Sequence, residues 1–409
     1  IPKNGNQQIK ILNNNDKPIT VENMRIERDP LKNYIVCPII NHVSENDRTG
    51  RFERLLKNLN LDGLDDENKK ELVSILRKYQ SVFQVDGENL TTNNFYKQTI
   101  ELHDNTPVYI KNYRLPHSHT AEINSQVQEL LKSNIIQLSI SPYNAPLLIV
   151  PKKGQTDMKK WRLVVDFRKL NDKIVNDKFP LTRLDDILDK LGRAKYFSTL
   201  DMTSSFHQIE LDYQSRPYTA FSTPDGHYQY TRLPFGLKIS SNSFQRMLTI
   251  ALSGLDSEAF LYVDDIIVFG CSLQHHNSNL IKVLDRLRKY NLKLNPNKCC
   301  FMKSKVVYLG HLITPSGIKP DPLKFDAITK YPVPKNADEF RRFVAFCNYY
   351  RRFVKNFAEI ANCLNNLLKK GNKFEWTEQC QKAFELLKGK LISPPILQYP
   401  DFERPFILT

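Results

Sequence analysis

Tyr262-Val263-Asp264-Asp265 sets two adjacent acids between apolar β-formers, Phe260-Leu261 before them and Ile266-Ile267-Val268-Phe269 after. Such runs flanking a short break predict a buried hairpin with the two acids in its turn. Carboxylates on so apolar an element are costly unless something positive binds them. Asp201 is a third acid of the same kind. It closes the strand-like run Tyr196-Phe197-Ser198-Thr199-Leu200, whose alternation puts Phe197, Thr199 and Asp201 on one face and Leu200 on the other. Two strand-borne acidic sites predict one carboxylate cluster. Oxygen ligands of this kind suit Mg²⁺, with Mn²⁺ as a substitute, and two such ions about 3.5 to 4 Å apart can activate a 3′ hydroxyl and stabilise a departing pyrophosphate. That chemistry is nucleotidyl transfer.

The chain supplies its own controls. Asp65-Asp66 and Asp185-Asp186 are also paired, but each lies where a helical pattern begins, and the preference of helix N-termini for negative charge explains them. His117 and His119 have no partner ligands nearby and read as surface or packing residues. Seven cysteines form an odd set without a CxxC pair, which indicates neither a disulfide framework nor a zinc site and fits a reducing compartment.

The elements around the acids read as α+β. Residues 1–50 are rich in Asn, Lys and Asp with one strand-like run at Tyr34 to Ile40, and are expected to be a linker or the tail of a preceding module. Residues 51–95 form a helical lead-in, its second helix placing Leu72, Ile75, Leu76 and Tyr79 on one face. A helix is predicted near Thr120 to Lys132. β-rich runs follow at Ala145 to Pro151, Trp161 to Asp166, Tyr196 to Met202 and Gln208 to Leu211. After Gly317 the periodicity turns helical, with Phe340, Phe343, Val344, Cys347 and Tyr350 on one stripe and Asn336 placed to cap at Glu339.

Composition bounds the partners. With 409 residues and 41% hydrophobic content the chain can bury a core and divide into domains. Its net charge of +15 favours a polyanion. No charged-then-apolar leader opens it, and its most apolar stretch, Phe260 to Phe269, is short and carries two acids, so no membrane span is expected. An isoleucine start and the ending Phe406-Ile407-Leu408-Thr409 suggest an excerpt of a longer chain.

Four segments occur in a familiar order: Leu200-Asp201-Met202-Thr203-Ser204-Ser205-Phe206-His207-Gln208-Ile209, Leu233-Pro234-Phe235-Gly236-Leu237-Lys238, the Tyr-Val-Asp-Asp tetrad, and Tyr308-Leu309-Gly310-His311. From about residue 60 to its end the chain resembles the reverse transcriptases of gypsy-type long-terminal-repeat retrotransposon polyproteins. The resemblance implies a right hand of fingers, palm and thumb, with an antiparallel palm sheet and a mostly helical thumb. It implies fingers and palm over 96–317, thumb over 318–390, and over 391–409 the truncated start of a ribonuclease H domain whose first catalytic aspartate lies beyond Thr409.

By motif, Asp201, Asp264 and Asp265 become the metal ligands. Arg162 becomes the fingers arginine that grips the incoming triphosphate, since a planar donor fork suits phosphate, with Lys153 as a helper. Phe206 becomes the aromatic gate against a 2′ hydroxyl, with Phe235 also at the nucleotide. Tyr308, Leu309, Gly310 and His311 become the primer grip. Arg168, Arg341, Arg342, Arg351 and Arg352 become duplex contacts, the last four on one thumb helix where 341 and 352 share a face.

The implied partners are an RNA template and DNA primer, their RNA–DNA hybrid, and dNTPs; a homodimer is compatible. The implied location is cytoplasmic, within virus-like particles. The sequence departs from the family at Thr203, where lysine is usual, at Ser205, where a smaller residue is usual, and at Phe343-Val344-Ala345-Phe346. The alternative is a decayed or domesticated copy that only binds nucleic acid; loss of an acid would mark it, and none is missing. An RNA-dependent RNA polymerase on the same palm is disfavoured by Phe206.

Overall fold

The runs with a two-residue period become several small sheets in the computed structural model, which describes residues 27–28, 35–36, 45–151, 161–180, 182–192, 194–368, 374–393 and 395–399. The chain divides into two compact units, 1–54 and 55–409. In the first, Glu27–Arg28 pairs with Ile35–Val36, two residues of the strand-like run expected from 34 to 40.

The second unit opens with α1 (Asp66–Lys78), whose N-cap Asp65 accepts from the Asn68 amide at 2.8 Å. Leu72 and Leu76 are buried on its inner face, as is Tyr79 at its end, while Ile75 is half-buried. The next helix, α2, covers Thr120–Lys132 as expected. An antiparallel hairpin follows, β1 (Leu147–Pro151) with β2 (Trp161–Val165). The run from Gln208 to Leu211 starts later than expected: Gln208 closes the 3-10 turn Ser205–Gln208, and Glu210–Leu211 is the part that forms strand. Burial explains this. Gln208 is fully buried, its amide donating to the Thr203 and Lys293 carbonyls at 2.7 and 2.8 Å, which holds the chain in a turn.

The centre is a four-stranded antiparallel sheet. Its strands are β3 (Tyr196–Asp201), β4 (Ala259–Tyr262), β5 (Asp265–Gly270) and β6 (Cys300–Lys303), in the spatial order β4-β5-β3-β6. Helix α3 (Leu184–Lys190) precedes the sheet in sequence, and α4 (Ser240–Ala251) and α5 (Leu273–Lys289) flank its hairpin. α5 packs closely on the sheet. A Cβ on Gly270 would lie 2.5 Å from the His276 amide nitrogen, so the strand's last position takes only glycine.

A second antiparallel sheet runs β7 (Val306–Tyr308), β8 (His311–Thr314) and β9 (Gly317–Pro320). Here the sequence reading needs correcting. The segment after Gly317 begins as a strand, because Gly317 to Pro320 complete a ladder with His311 to Thr314, and helices take over only at α6 (Pro322–Thr329). α7 (Ala337–Tyr349), α8 (Phe357–Asn366) and α9 (Glu378–Ile392) follow. Asn336 caps α7 by accepting from the Glu339 amide at 2.9 Å.

Phe340, Phe343, Cys347 and Tyr350 are buried as the stripe predicts, and Val344 is half-buried. They join one apolar cluster with Phe197 of β3, Ile267 of β5 and Phe384 of α9. The helices are therefore packed continuously onto the sheet that carries the acids, and truncating a core phenylalanine such as Phe343 to Ala should cost about 3–5 kcal/mol. Among the described residues no helix is long and apolar enough to cross a membrane.

Candidate active site

Antiparallel pairing of β3 and β5 sets Asp265 directly opposite Asp201. Like charges at facing strand positions repel. Asp265 is not in the hairpin turn, as the sequence suggested, but pairs with Tyr262 and opens β5. A two-residue loop leaves only Val263 and Asp264 between the strands. Val263 takes a left-handed backbone, φ +53°, an unfavourable conformation for a β-branched residue. Its amide donates at 2.6 Å to Oε1 of Gln245, a side chain of α4 that is 2% exposed.

The electrostatics follow from this placement. Burial raises the Asp265 carboxyl to about 6, helped by the negative charges of Asp264 and Asp201 and opposed by Lys298. Burial also raises Asp201, against the Lys298 ammonium, whose Nζ lies 3.2 Å from Oδ2, with Asp264 adding to the rise. The three acids thus feel one another. Among the described residues, however, no three His, Cys, Asp or Glu side chains close into a metal cage. Lys298 closes the 3-10 turn Pro296–Lys298, and the turn is tied to β3 by the Asn295 amide donating to the Asp201 carbonyl at 2.9 Å. The donor set suits a hard cation: oxygen ligands, negative charge in excess, and a lysine as the cationic partner of one acid.

Phe206 lies in the 3-10 turn Ser205–Gln208, five residues beyond Asp201. Its ring centroid is 4.9 Å from that of Phe235 and 5.9 Å from that of Phe244. The structure therefore brings together the two phenylalanines that the resemblance places at the nucleotide, Phe206 half-buried and Phe235 51% exposed. His207 beside them is kept neutral by burial, pushed down to about 4. Arg162 projects from β2 as an exposed side chain opposite Val150. Lys153 lies outside the described residues.

The hairpin turn Tyr308 to His311 is tied to the acids. Tyr308 is buried and its hydroxyl donates to the Asp265 carbonyl at 3.1 Å. Leu309 and Gly310 both have positive φ, +47° and +70°, the conformation of a two-residue primed turn. His311 is 1% exposed, so it is a packed residue, and burial lowers its pKa.

The arginines divide differently from the sequence expectation. α7 ends at Tyr349, and Arg351–Phe353 is a separate 3-10 turn, so 341 and 352 share no helical face. The helix stops where Tyr349 and Tyr350 turn to donate hydrogen bonds to the carbonyls of Leu309 and Gly310. Arg352 is bound to Asp185 at 2.7 Å and Asp189 at 3.3 Å on α3, and Arg341 to Asp338 at 2.6 Å. Arg168 grips Asp166 through both its Nε and Nη2. Arg342 and Arg351 are exposed. The Asp185-Asp186 pair does sit in a helix first turn, as expected, and Asp185 in addition anchors Arg352.

Sequence reasoning missed Gln245, Lys298, Tyr349 and Tyr350. None had a local signal: a glutamine in an amphipathic helix, a lysine after a proline and two tyrosines in a basic, aromatic run all have ordinary readings.

Residues 150–313 match a family model described as "Reverse transcriptase (RNA-dependent DNA polymerase)". The chain carries a reverse transcriptase domain. That match holds all three acids, Phe206 and the Tyr308 to His311 turn. The chain is 52% identical over 412 residues to the retrovirus-related Pol polyprotein from transposon 412 of Drosophila melanogaster, covering 100% of this chain and 33% of that protein. It is 37% identical to the Pol polyprotein from transposon gypsy of the same organism, over 92% of this chain and 36% of that one. It therefore belongs with the gypsy-type retrotransposon Pol polyproteins and spans about a third of their length.

Residues 376–409 match an RNase H-like domain found in reverse transcriptase, a match that opens two residues before α9. Among solved structures the reverse transcriptase chain is similar to the foamy viral protease-reverse transcriptase in complex with dsDNA, at 26% identity and TM-score 0.76 over 87% of this chain and 74% of that one. It is also similar to the same protein in complex with an RNA/DNA hybrid, at 24% identity and TM-score 0.74 over 95% and 49%. Its fold is the right-hand polymerase fold.

Proposed function

We propose that the chain is an RNA-directed DNA polymerase that extends a DNA primer on an RNA template with dNTPs. The observation that carries the reading is the register of Asp265 opposite Asp201, with Asp264 one residue before it in the turn. Such a row of half-buried carboxylates repels itself until a cation neutralises it. Asp201, Asp264 and Asp265 would hold two Mg²⁺, or Mn²⁺ in their place. Bound there, the ions would supply activation of the primer 3′ hydroxyl and neutralisation of the leaving pyrophosphate.

The protein's own groups do the rest. Val263, held by Gln245, aims Asp264; the β3–β5 register aims Asp201 and Asp265; Lys298 balances Asp201. Arg162 and Lys153 receive the triphosphate, and the Phe206–Phe235 pair shapes the floor beneath the incoming sugar. The four-stranded sheet is the palm, the hairpin of β1 and β2 belongs to the fingers, and α6 to α8 form the thumb, with α9 inside the stretch that matches an RNase H-like domain. The basic charge of +15 favours a hybrid held through its phosphates. The location follows the class: cytoplasmic particles.

Primer extension on an RNA template, with dNTPs against NTPs, tests the reading. The wild type should incorporate dNTPs strongly over NTPs, and Phe206→Ala should narrow that preference by about tenfold or more, since it removes a steric block worth about 1–3 kcal/mol. A wild type without extension in Mg²⁺ or Mn²⁺ would reduce the chain to a nucleic-acid binder, and an unchanged preference in Phe206→Ala would remove that ring from the gate.

A further inference from the structure

The turn at Leu309-Gly310 is gripped from the helical side by two tyrosine hydroxyls. Tyr349 donates to the Leu309 carbonyl at 2.7 Å, and Tyr350 donates to the Gly310 carbonyl at 2.8 Å. Each carbonyl has a second donor: the His311 Nδ1 lies 2.8 Å from Leu309 O, and the Asp321 amide 2.9 Å from Gly310 O. All the polar capacity of this turn's carbonyls is therefore met by protein. The two tyrosine rings pack edge to face at 4.9 Å, and His311 lies 5.4 and 5.5 Å from them.

The same turn is fixed at its other end. Tyr308, the residue that enters it, donates to the backbone carbonyl of Asp265. Three hydroxyls in a row thus connect the last turn of α7, the hairpin tip and an acid-bearing strand. The space is tight as well: a Cβ on Gly310 would sit 3.1 Å from the Tyr350 hydroxyl. Leu309 takes a left-handed backbone that a leucine adopts at a cost of about 1–2 kcal/mol, and hydrogen bonds to its own and the next carbonyl offset that cost. The Tyr350 hydroxyl is buried and needs a partner, but burial does not require the Tyr349 hydroxyl to be there. Tyr349 is 48% exposed and could be solvated by water, yet it reaches back to the turn.

We propose that Tyr349 and Tyr350 are positioning residues that, with Tyr308, set the height of the hairpin tip over the aspartates and so place the primer 3′ end for attack. The inference rests on the polymerase reading above. Positioning is a steep lever, because about 1 Å of misplacement can cost on the order of a hundredfold in rate. The hydroxyls touch no reacting atom, so their loss acts through the tip: it lowers the rate of the bond-forming step and leaves dNTP affinity, set by other groups, nearly unchanged.

The test is single-turnover extension by Tyr349→Phe, Tyr350→Phe and the double variant, with the thermal midpoint and hybrid affinity measured alongside. Tyr331→Phe serves as control, since Tyr331 makes a similar hydroxyl-to-carbonyl bond to Glu339 in the first turn of the same helix, away from the tip. The double variant should lose about five- to fiftyfold in maximal incorporation rate with the dNTP concentration for half-maximal rate within about twofold, while Tyr331→Phe extends at the wild-type rate. Tyr349→Phe, which loses no buried packing, should show part of this loss at an unchanged midpoint. A double variant within twofold of wild type would overturn the inference, as would a loss matched by Tyr331→Phe, which would make it a matter of thumb stability. A wild type that itself does not extend would overturn the polymerase reading instead, and the two failures are distinct.

Discussion

Two hairpin turns face the same task of carrying functional residues on a strained two-residue loop, and they solve it from opposite sides. Val263-Asp264 is held through an amide: the Val263 N–H donates to a buried glutamine of α4, a helix beside the same sheet. Leu309-Gly310 is held through its carbonyls by hydroxyls at the end of α7. Both have a non-glycine residue at positive φ, which persists only where the surroundings over-determine it. The difference lies in who does the holding. The Val263-Asp264 turn is fixed by α4 and the Leu309-Gly310 turn by α7, so on the proposed reading a shift of α7 moves the grip and leaves the aspartates in place.

The largest expected effect breaks the acids' side of this comparison. Asp264→Asn or Asp265→Asn should each lower extension by more than about a thousandfold, while hybrid affinity stays within about threefold. Either variant keeping a tenth of wild-type extension would remove that residue from the catalytic set. Gln245→Leu comes next. It leaves the Val263 amide unpaired and should lower the incorporation rate by about ten- to a hundredfold, for a loss of about 1–3 kcal/mol. A variant whose defect lay in hybrid affinity instead of rate would mean that the two turns are not held independently.

A smaller effect separates charge from geometry. The folded Asp265 carboxyl, at about 6, is raised above its unfolded value near 4, so the folded state binds the extra proton. Stability from this group is therefore fully present below about pH 4 and is lost as pH rises through about 6. Asp265→Asn is neutral throughout. In chelator at pH 7.5 it should be more stable than the wild type by about 1–3 kcal/mol, a difference that vanishes near pH 4. Denaturant melts at the two pH values decide it, and equal stability at pH 7.5 would mean that the acids do not strain the free sheet.

The smallest effect concerns the arginines. Arg351→Gln should lower the log–log salt slope of hybrid binding by up to about 0.9 with the midpoint unchanged. Arg352→Gln breaks the ion pairs to Asp185 and Asp189 and should shift stability slightly, by up to about 1 kcal/mol, more than the slope. The reverse pattern would return Arg352 to the duplex path.

Much of this was legible in the chain. The apolar runs around Asp264-Asp265 and before Asp201 specify strands because period-two burial is written in consecutive residues, and the Phe340 to Tyr350 stripe specifies a buried helix face in the same local way. The four motifs brought the family with them, and the family match and relatives bear it out. What was misread depended on distant partners. Gln208 is buried in a turn because of Lys293, 85 residues away, and the strand at Gly317 exists because His311 to Thr314 offer a ladder.

The sequence alone determined the acid-bearing strands, the apolar stripe of the helix after Asn336 and which acids are too costly to sit unpartnered, because propensity, periodicity and desolvation act over a few neighbouring residues. Only the tertiary structure decided that Asp265 stands opposite Asp201, that Lys298 reaches Asp201 across 97 residues of chain, and that α7 stops where two tyrosines find the carbonyls of Leu309 and Gly310. Register and hydrogen-bond partners between separate elements depend on how whole surfaces pack, and no local pattern of residues encodes them.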